Sequence, residues 1–180
     1  MIEHWFTATE AFDPSDGEKW DLYIKFSNLV QLKRVVSLDN NLCPNLIKDV
    51  KEEDWEHNVQ EDFKLHYFKN LDYLFHRIAG AKHFNIFSVV FSPVNDVSNS
   101  CIDERFKFMG YDIVDKHGGY SALTNCGGFP NAFQNSELSQ DGLIVSFNRA
   151  QQINQALQKF YPDEYHAQCD VWAIWLLNAL

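Results

Sequence analysis

The ten residues FNIFSVVFSP, 84–93, constrain the fold more than any other stretch, because an extended chain of this sequence is apolar on both faces. Such a run fits a central strand of a sheet covered on both sides, and Pro93 ends it. The C-terminal CDVWAIWLL, 169–177, is a second strand of the same character. Strands of this kind need a wide core, and the chain can supply one: aromatic residues make up 15% of its 180 positions, fifteen of them Phe. A chain of this length is most often one domain and buries roughly 70% of the surface its unfolded form exposes. The expectation is a single α+β domain spanning 1–180, a mostly antiparallel sheet packed with a few helices.

Elsewhere the periodicity is more mixed. In 18–38, Trp20, Leu22, Ile24 and Phe26 alternate with period two and read as a strand; Leu29, Val30, Leu32, Val35 and Val36 then read as a second strand or a short helix. DNNLCPN, 39–45, is dense in turn formers, and 46–62 is polar and acidic, a loop with a helical turn. FKLHYF, 63–68, reads as a strand. Residues 70–80 place Leu71, Leu74, Phe75 and Ile78 at helical spacing, with Asn70 as cap and Gly80 as stop. NDVSNSC, 95–101, reads as an exposed loop.

RFKFMGYDIVD, 105–115, alternates up to Gly110, where a bulge is expected, and resumes with Tyr111 and Ile113. HGG at 117–119 then turns the chain into YSALTNC, read as the return strand of a hairpin. Leu143, Phe147, Ala150, Ile153, Leu157 and Phe160 recur every three or four residues, a helix closed by Pro162. No internal repeat, low-complexity tract or linker interrupts the chain.

Charge and cysteine usage narrow the function. The net charge is −10, and fourteen acids against six bases lie before residue 63. A field of this sign repels nucleic-acid backbones and anionic membrane surfaces and favours a cationic protein partner. Cys43, Cys101, Cys126 and Cys169 stand far apart without CxxC pairs and read as reduced, buried thiols. With no signal-like N-terminus and no run of about 20 apolar residues, the expectation is a soluble, cytoplasmic protein.

Three constellations carry candidate chemistry. The first is TNCGGFPNAF, 124–133, where Cys126 could be a thiolate nucleophile with His166 as base and Asp170 as its orienting carboxylate, in a hydrolase or transferase. Against this, the glycines suit any tight turn, and the segment runs into Pro130 rather than a helix N-terminus that would activate a thiol. The second is a metal site at His166, Cys169 and Asp170. The seven histidines form no HxH or HxxxH pair, so no metal is expected, and no Walker or GxGxxG spacing calls for a nucleotide or other cofactor.

The third is DVKEEDWEHNVQED, 49–62, with seven acids and one lysine around Trp55. A charge run of this kind is ordinarily a solvated face. Here Asp49, Glu52, Glu53, Asp54, Glu56, Glu61 and Asp62 hold most of the net charge, and an exposed Trp55 among them would serve as an interface anchor. Such a surface can fill the phosphate-binding groove of a cationic nuclease and speed its association.

The segments FMGYDIVD, SALTNCGGFP and GLIVSFNRAQQINQALQKFYPDEYHAQCDVWAIW, within 105–176, resemble small bacterial immunity proteins, the inhibitors encoded beside toxins of contact-dependent growth inhibition systems. The resemblance implies an intracellular protein that is not an enzyme and binds one toxin tightly. It further implies that the similar segments are scaffold and that the toxin-contacting surface lies elsewhere. That places the interface in the acidic first third, with a cationic ribonuclease as the expected partner and neither nucleic acid nor membrane bound directly.

Overall fold

The fold, taken from a computed structural model, is described for residues 2–47, 66–100, 103–115, 119–125 and 128–178. Its elements are β1 (Trp5–Glu10), α1 (Glu18–Ser27), α2 (Leu71–Arg77), β2 (Phe84–Phe91), β3 (Phe106–Asp115), α3 (Phe147–Phe160) and β4 (Cys169–Leu177), with short 3-10 turns between several of them. The strands form one antiparallel sheet in the order β1-β2-β4-β3. This is the α+β arrangement expected from the sequence. The two doubly apolar runs are its two central strands, paired through Phe87↔Leu176, Val89↔Ile174 and Phe91↔Trp172.

Both sheet faces are buried. On one, Ile86, Val90, Val171, Ala173 and Trp175 join a core to which all three helices contribute: Trp20 and Tyr23 from α1, Leu74 and Ile78 from the α2 segment, Ala150, Ile153 and Leu157 from α3. On the other, Phe87, Val89, Trp172 and Ile174 pack with Val36, Leu38, Tyr67 and Leu143, which come from irregular segments. Tyr67 and Phe91 meet Trp172 edge-on, with ring centroids 6.1 and 4.8 Å away, a geometry that suits the ring quadrupoles. Neither outer strand leaves its edge bare. Phe6 on β1 exchanges two hydrogen bonds with Phe68, and Tyr111 on β3 exchanges two with Ile144, which blocks edge-to-edge pairing.

α2 forms where its periodicity places it, and α3 does so from Phe147 on; Leu143, expected as the first residue of that series, precedes the helix and packs on the other sheet face. Asn70 accepts from the Tyr73 amide and Ser146 from the Arg149 amide, so each helix has the side-chain cap its first turn requires. Cys43 and Cys169 are buried and unbridged, as expected. In the 95–100 loop Val97 is buried, although its neighbours face solvent.

The first third departs from expectation. Residues 18–27 are a helix, not a strand: Trp20, Tyr23 and Ser27 are buried at helical spacing, while Leu22 and Phe26 point outward. The apparent period of two mixed residues from opposite sides of one helix. The following run makes no second strand or helix, only a bridge from Val35 to Phe12; Leu29, Leu32, Val35 and Val36 are nonetheless buried in an irregular path. Of 63–68 the described part, 66–68, contributes one bridge, Phe68 to Phe6. Of the expected hairpin return at 120–126 the described part, 120–125, makes a single bridge, Ser121 to Val114, on the edge of β3 away from β4, and then turns.

The bulge expected at Gly110 is present. The register slips between Phe108 and Gly110, which leaves Met109 extra and reverses the side-chain parity of the strand beyond it. Phe106 and Phe108 face the helices before the slip; Tyr111 and Ile113 do so after it, which turns Asp112 to the opposite face. Gly110 has φ +144°, and a Cβ there would meet the Ile144 carbonyl and Leu143 Cβ at 2.9 Å. Gly110→Ala should therefore cost about 2 kcal/mol in urea unfolding, a typical overpacking loss; a change below about 0.5 kcal/mol would show that the bulge relaxes freely.

Candidate functional site

The reversal at Gly110 delivers Asp112 to a buried polar cluster. Asp112 is 0% exposed, and its carboxylate accepts from the Ile113 and Leu38 amides and from the hydroxyls of Ser37 and Ser121, at 2.6–3.3 Å. Asp39, also 0% exposed, accepts from the amides of Asn41, Leu42 and Ser121 at 2.7–3.0 Å. Two carboxylates therefore share Ser121, one through its hydroxyl and one through its amide. These donors are neutral, so charge is offset by hydrogen bonding rather than by a cation, and burial pushes both acids up, Asp39 to about 6. The cluster fastens 37–42 and 119–124 onto β3.

From this cluster the connection runs outward to α1. Thr124 donates to Ser37, and the Thr124 carbonyl accepts from the Tyr23 hydroxyl at 2.8 Å. At the far end of the helix the Asn135 amide donates to the Ser27 carbonyl, and Gln31 donates to the Asn135 carbonyl. α1 is thus held along its inner face and at its C-terminus. Its outer face carries Leu22, Phe26 and, just beyond the helix, Val30, which are 59%, 71% and 75% exposed. Leu22 and Phe26, four apart, lie along one side of the helix beside Glu18, Asp21 and Lys25, and Val30 follows after the chain leaves the helix at Asn28. Val94, Val145 and Tyr165 are exposed as well, but they lie outside the α-helices, whereas Leu22 and Phe26 project from a helix whose inner face is held in place.

The residues singled out in the sequence are distributed as follows. Asp49, Glu52, Glu53, Asp54, Trp55, Glu56, Glu61 and Asp62 lie outside the described residues, as does Cys126. The described chain approaches that acidic segment through an Asn45 bridge to Thr9 and leaves it through the Phe68 bridge to Phe6, so both ends are tied to the same edge of β1. The flanks of Cys126 are scaffold: Leu123, Thr124, Phe129 and Phe133 are buried. Half-buried His166 packs against Phe129 with centroids 4.7 Å apart, and burial lowers its pKa, favouring a neutral ring. The Asp170 carboxylate accepts from the Ser92 hydroxyl at 2.7 Å.

Of the groups able to hold a metal, sequence reading singled out His166, Cys169 and Asp170. The structure instead brings Asp13, Asp16 and His83 together, with one donor atom of each within 4.8 Å of the others. Their separation in the chain hides that grouping. The α1 stripe was missed for another reason, the strand reading of 18–27. No described helix is long and apolar enough to cross a membrane. No family model, curated protein or solved structure matches the chain.

The raised acids set a pH dependence. An unfolded aspartate titrates near 3.9, so between about pH 4 and 6 the folded chain holds a proton at Asp39 that the unfolded chain releases. The stabilising contribution is complete below pH 4 and lost as pH rises through about 6. Buried His4 and His166, with lowered pKa values, act in the opposite sense, but they are common to wild type and an Asp39→Asn variant. The unfolding free energy of wild type relative to that variant should fall by on the order of 3 kcal/mol between pH 4 and 7. A difference that stays flat across that range would exclude Asp39 as the titrating group.

Proposed function

We propose that this chain is an immunity-type inhibitor, a protein that binds and neutralises a cognate cationic toxin, a ribonuclease, by covering its active site. The observation that carries the proposal is the outward pair of Leu22 and Phe26 on a helix whose other face is anchored in the core, with Val30 exposed just beyond its end. Folding alone gives no reason to expose three apolar side chains in a row, whereas a protein partner would bury them. The surplus of acids before residue 63 sets the sign of that partner.

In this proposal, charge and apolar contact divide the work. Asp49, Glu52, Glu53, Asp54, Glu56, Glu61 and Asp62 meet Lys and Arg side chains of the toxin and accelerate encounter, and Trp55 adds contact area at the same surface. The α1 stripe supplies the desolvated centre that slows dissociation. Nothing in this scheme requires a cofactor or a chemical step. The resemblance of 105–176 to immunity proteins supports the same assignment, because those residues include β3, α3 and β4, the scaffold.

Binding kinetics against the toxin domain encoded beside the gene test the scheme. Glu52→Lys/Glu53→Lys/Asp54→Lys should lower the association rate and weaken its salt dependence. Leu22→Ser/Phe26→Ser should raise the dissociation rate by about tenfold or more. Wild-type rates in both variants, with toxin inhibition retained, would refute it.

A further inference from the structure

We propose that Asp13, Asp16 and His83 form a binding site for a divalent transition-metal ion of the zinc class. The site is built from two parts of the chain that the sheet holds together. The ladder between β1 and β2 ends at Glu10↔Phe84, and the Ala11 amide extends it by donating to the His83 carbonyl at 3.0 Å. This puts His83, the residue before β2, against the 3-10 turn Pro14–Asp16 that follows β1.

The carboxylates of that turn are fixed by their own backbone. Asp13 accepts from the Ser15 amide at 2.8 Å through one oxygen, Asp16 accepts from the Asp13 amide at 3.0 Å, and each keeps a second oxygen outside these bonds. The other Asp13 oxygen lies 3.7 Å from His83 Nε2, and Ser15 Oγ lies 3.3 Å from the same nitrogen.

Two features separate this group from a solvated acidic turn. The first is the imidazole, a nitrogen donor delivered by a different element and aimed through Nε2 at the carboxylates. The second is spacing. Zinc binds nitrogen and oxygen donors at about 2.0–2.2 Å, so neighbouring donors in a tetrahedral site sit about 3.4 Å apart. The 3.7 Å between Asp13 and His83 is close to that value, all three donor atoms lie within 4.8 Å of one another, and the exposed His83 ring can rotate toward the two held carboxylates.

Two carboxylates and a neutral imidazole neutralise a dication, and one oxygen-rich, one-nitrogen set suits zinc or manganese better than a thiolate-seeking ion. Arg34, whose charge reaches Asp13, is engaged by Asp141. Water would complete the coordination on the open side. Asp16 is followed by Gly17, the N-cap of α1, so a bound ion would tie the first turn of that helix to β2. The site stands on its own geometry and does not depend on the identity of a protein partner.

The test is a titration of the full chain with zinc chloride, read by calorimetry and by long-range proton–nitrogen spectra of the imidazoles. The expected result is saturable binding of one ion with movement of the His83 Nε2 resonance. His83→Gln, with an unchanged far-ultraviolet dichroism spectrum, should weaken binding at least about tenfold, as should Asp13→Asn. If either variant fails to fold, the His83 resonance of the unaltered chain decides. An unmoved His83 resonance at one equivalent of zinc, or unchanged affinity in the folded His83→Gln protein, overturns the site.

Discussion

The buried carboxylate of Asp112 is the interaction on which the rest of the structure depends. A charged group removed from water is stable only if its lone pairs are filled, and here four neutral donors from three stretches of chain converge to fill them. Two of those stretches have no regular secondary structure, so the carboxylate does for them what a ladder does for a strand. It fixes the path of 37–42, through Asp39 and Ser121 it fixes 119–124, and through Thr124 and Tyr23 it seats α1. Asp112 reaches that position only because the chain gains one residue at the Gly110 bulge.

This order of causes connects the core to the proposed surface. α1 exposes Leu22 and Phe26 among the charged Glu18, Lys19, Asp21 and Lys25, and its inner side is anchored at both Tyr23 and Ser27. An apolar stripe on a mobile helix would lose affinity to the entropy of ordering it; on a helix already fixed, that cost is met during folding. The described residues on either side of the acidic segment, Asn45 and Phe68, bridge to Thr9 and Phe6 on β1. In the proposed scheme, charge for encounter and apolar area for residence both come from the first third of the sequence.

What the sequence disclosed follows from the range of the forces involved. The central strands were legible because double-sided apolarity admits few alternatives, and α2 and α3 because cap and periodicity agree at Asn70 and Ser146. α1 was not legible, because Leu22 and Phe26 serve a surface rather than the core and imitate a strand's alternation. The irregular course of 28–38 depends on partners more than seventy residues away, Asn135, Gln140 and Asp141 for 31–36 and Asp112 for Ser37 and Leu38, which no local pattern can signal. For the same reason Asp13, Asp16 and His83 were read as separate polar residues, since the β1–β2 ladder alone brings them together.

The most direct measurement of the proposed interface is amide hydrogen exchange of the chain alone and with the proposed cationic toxin partner. Joint docking through α1 and the acidic segment predicts that slowed exchange on binding concentrates at 18–30 and within 49–62, with the amides of β2 and β4 unchanged. Protection elsewhere, with 18–30 exchanging at the rate of the free protein, would contradict it.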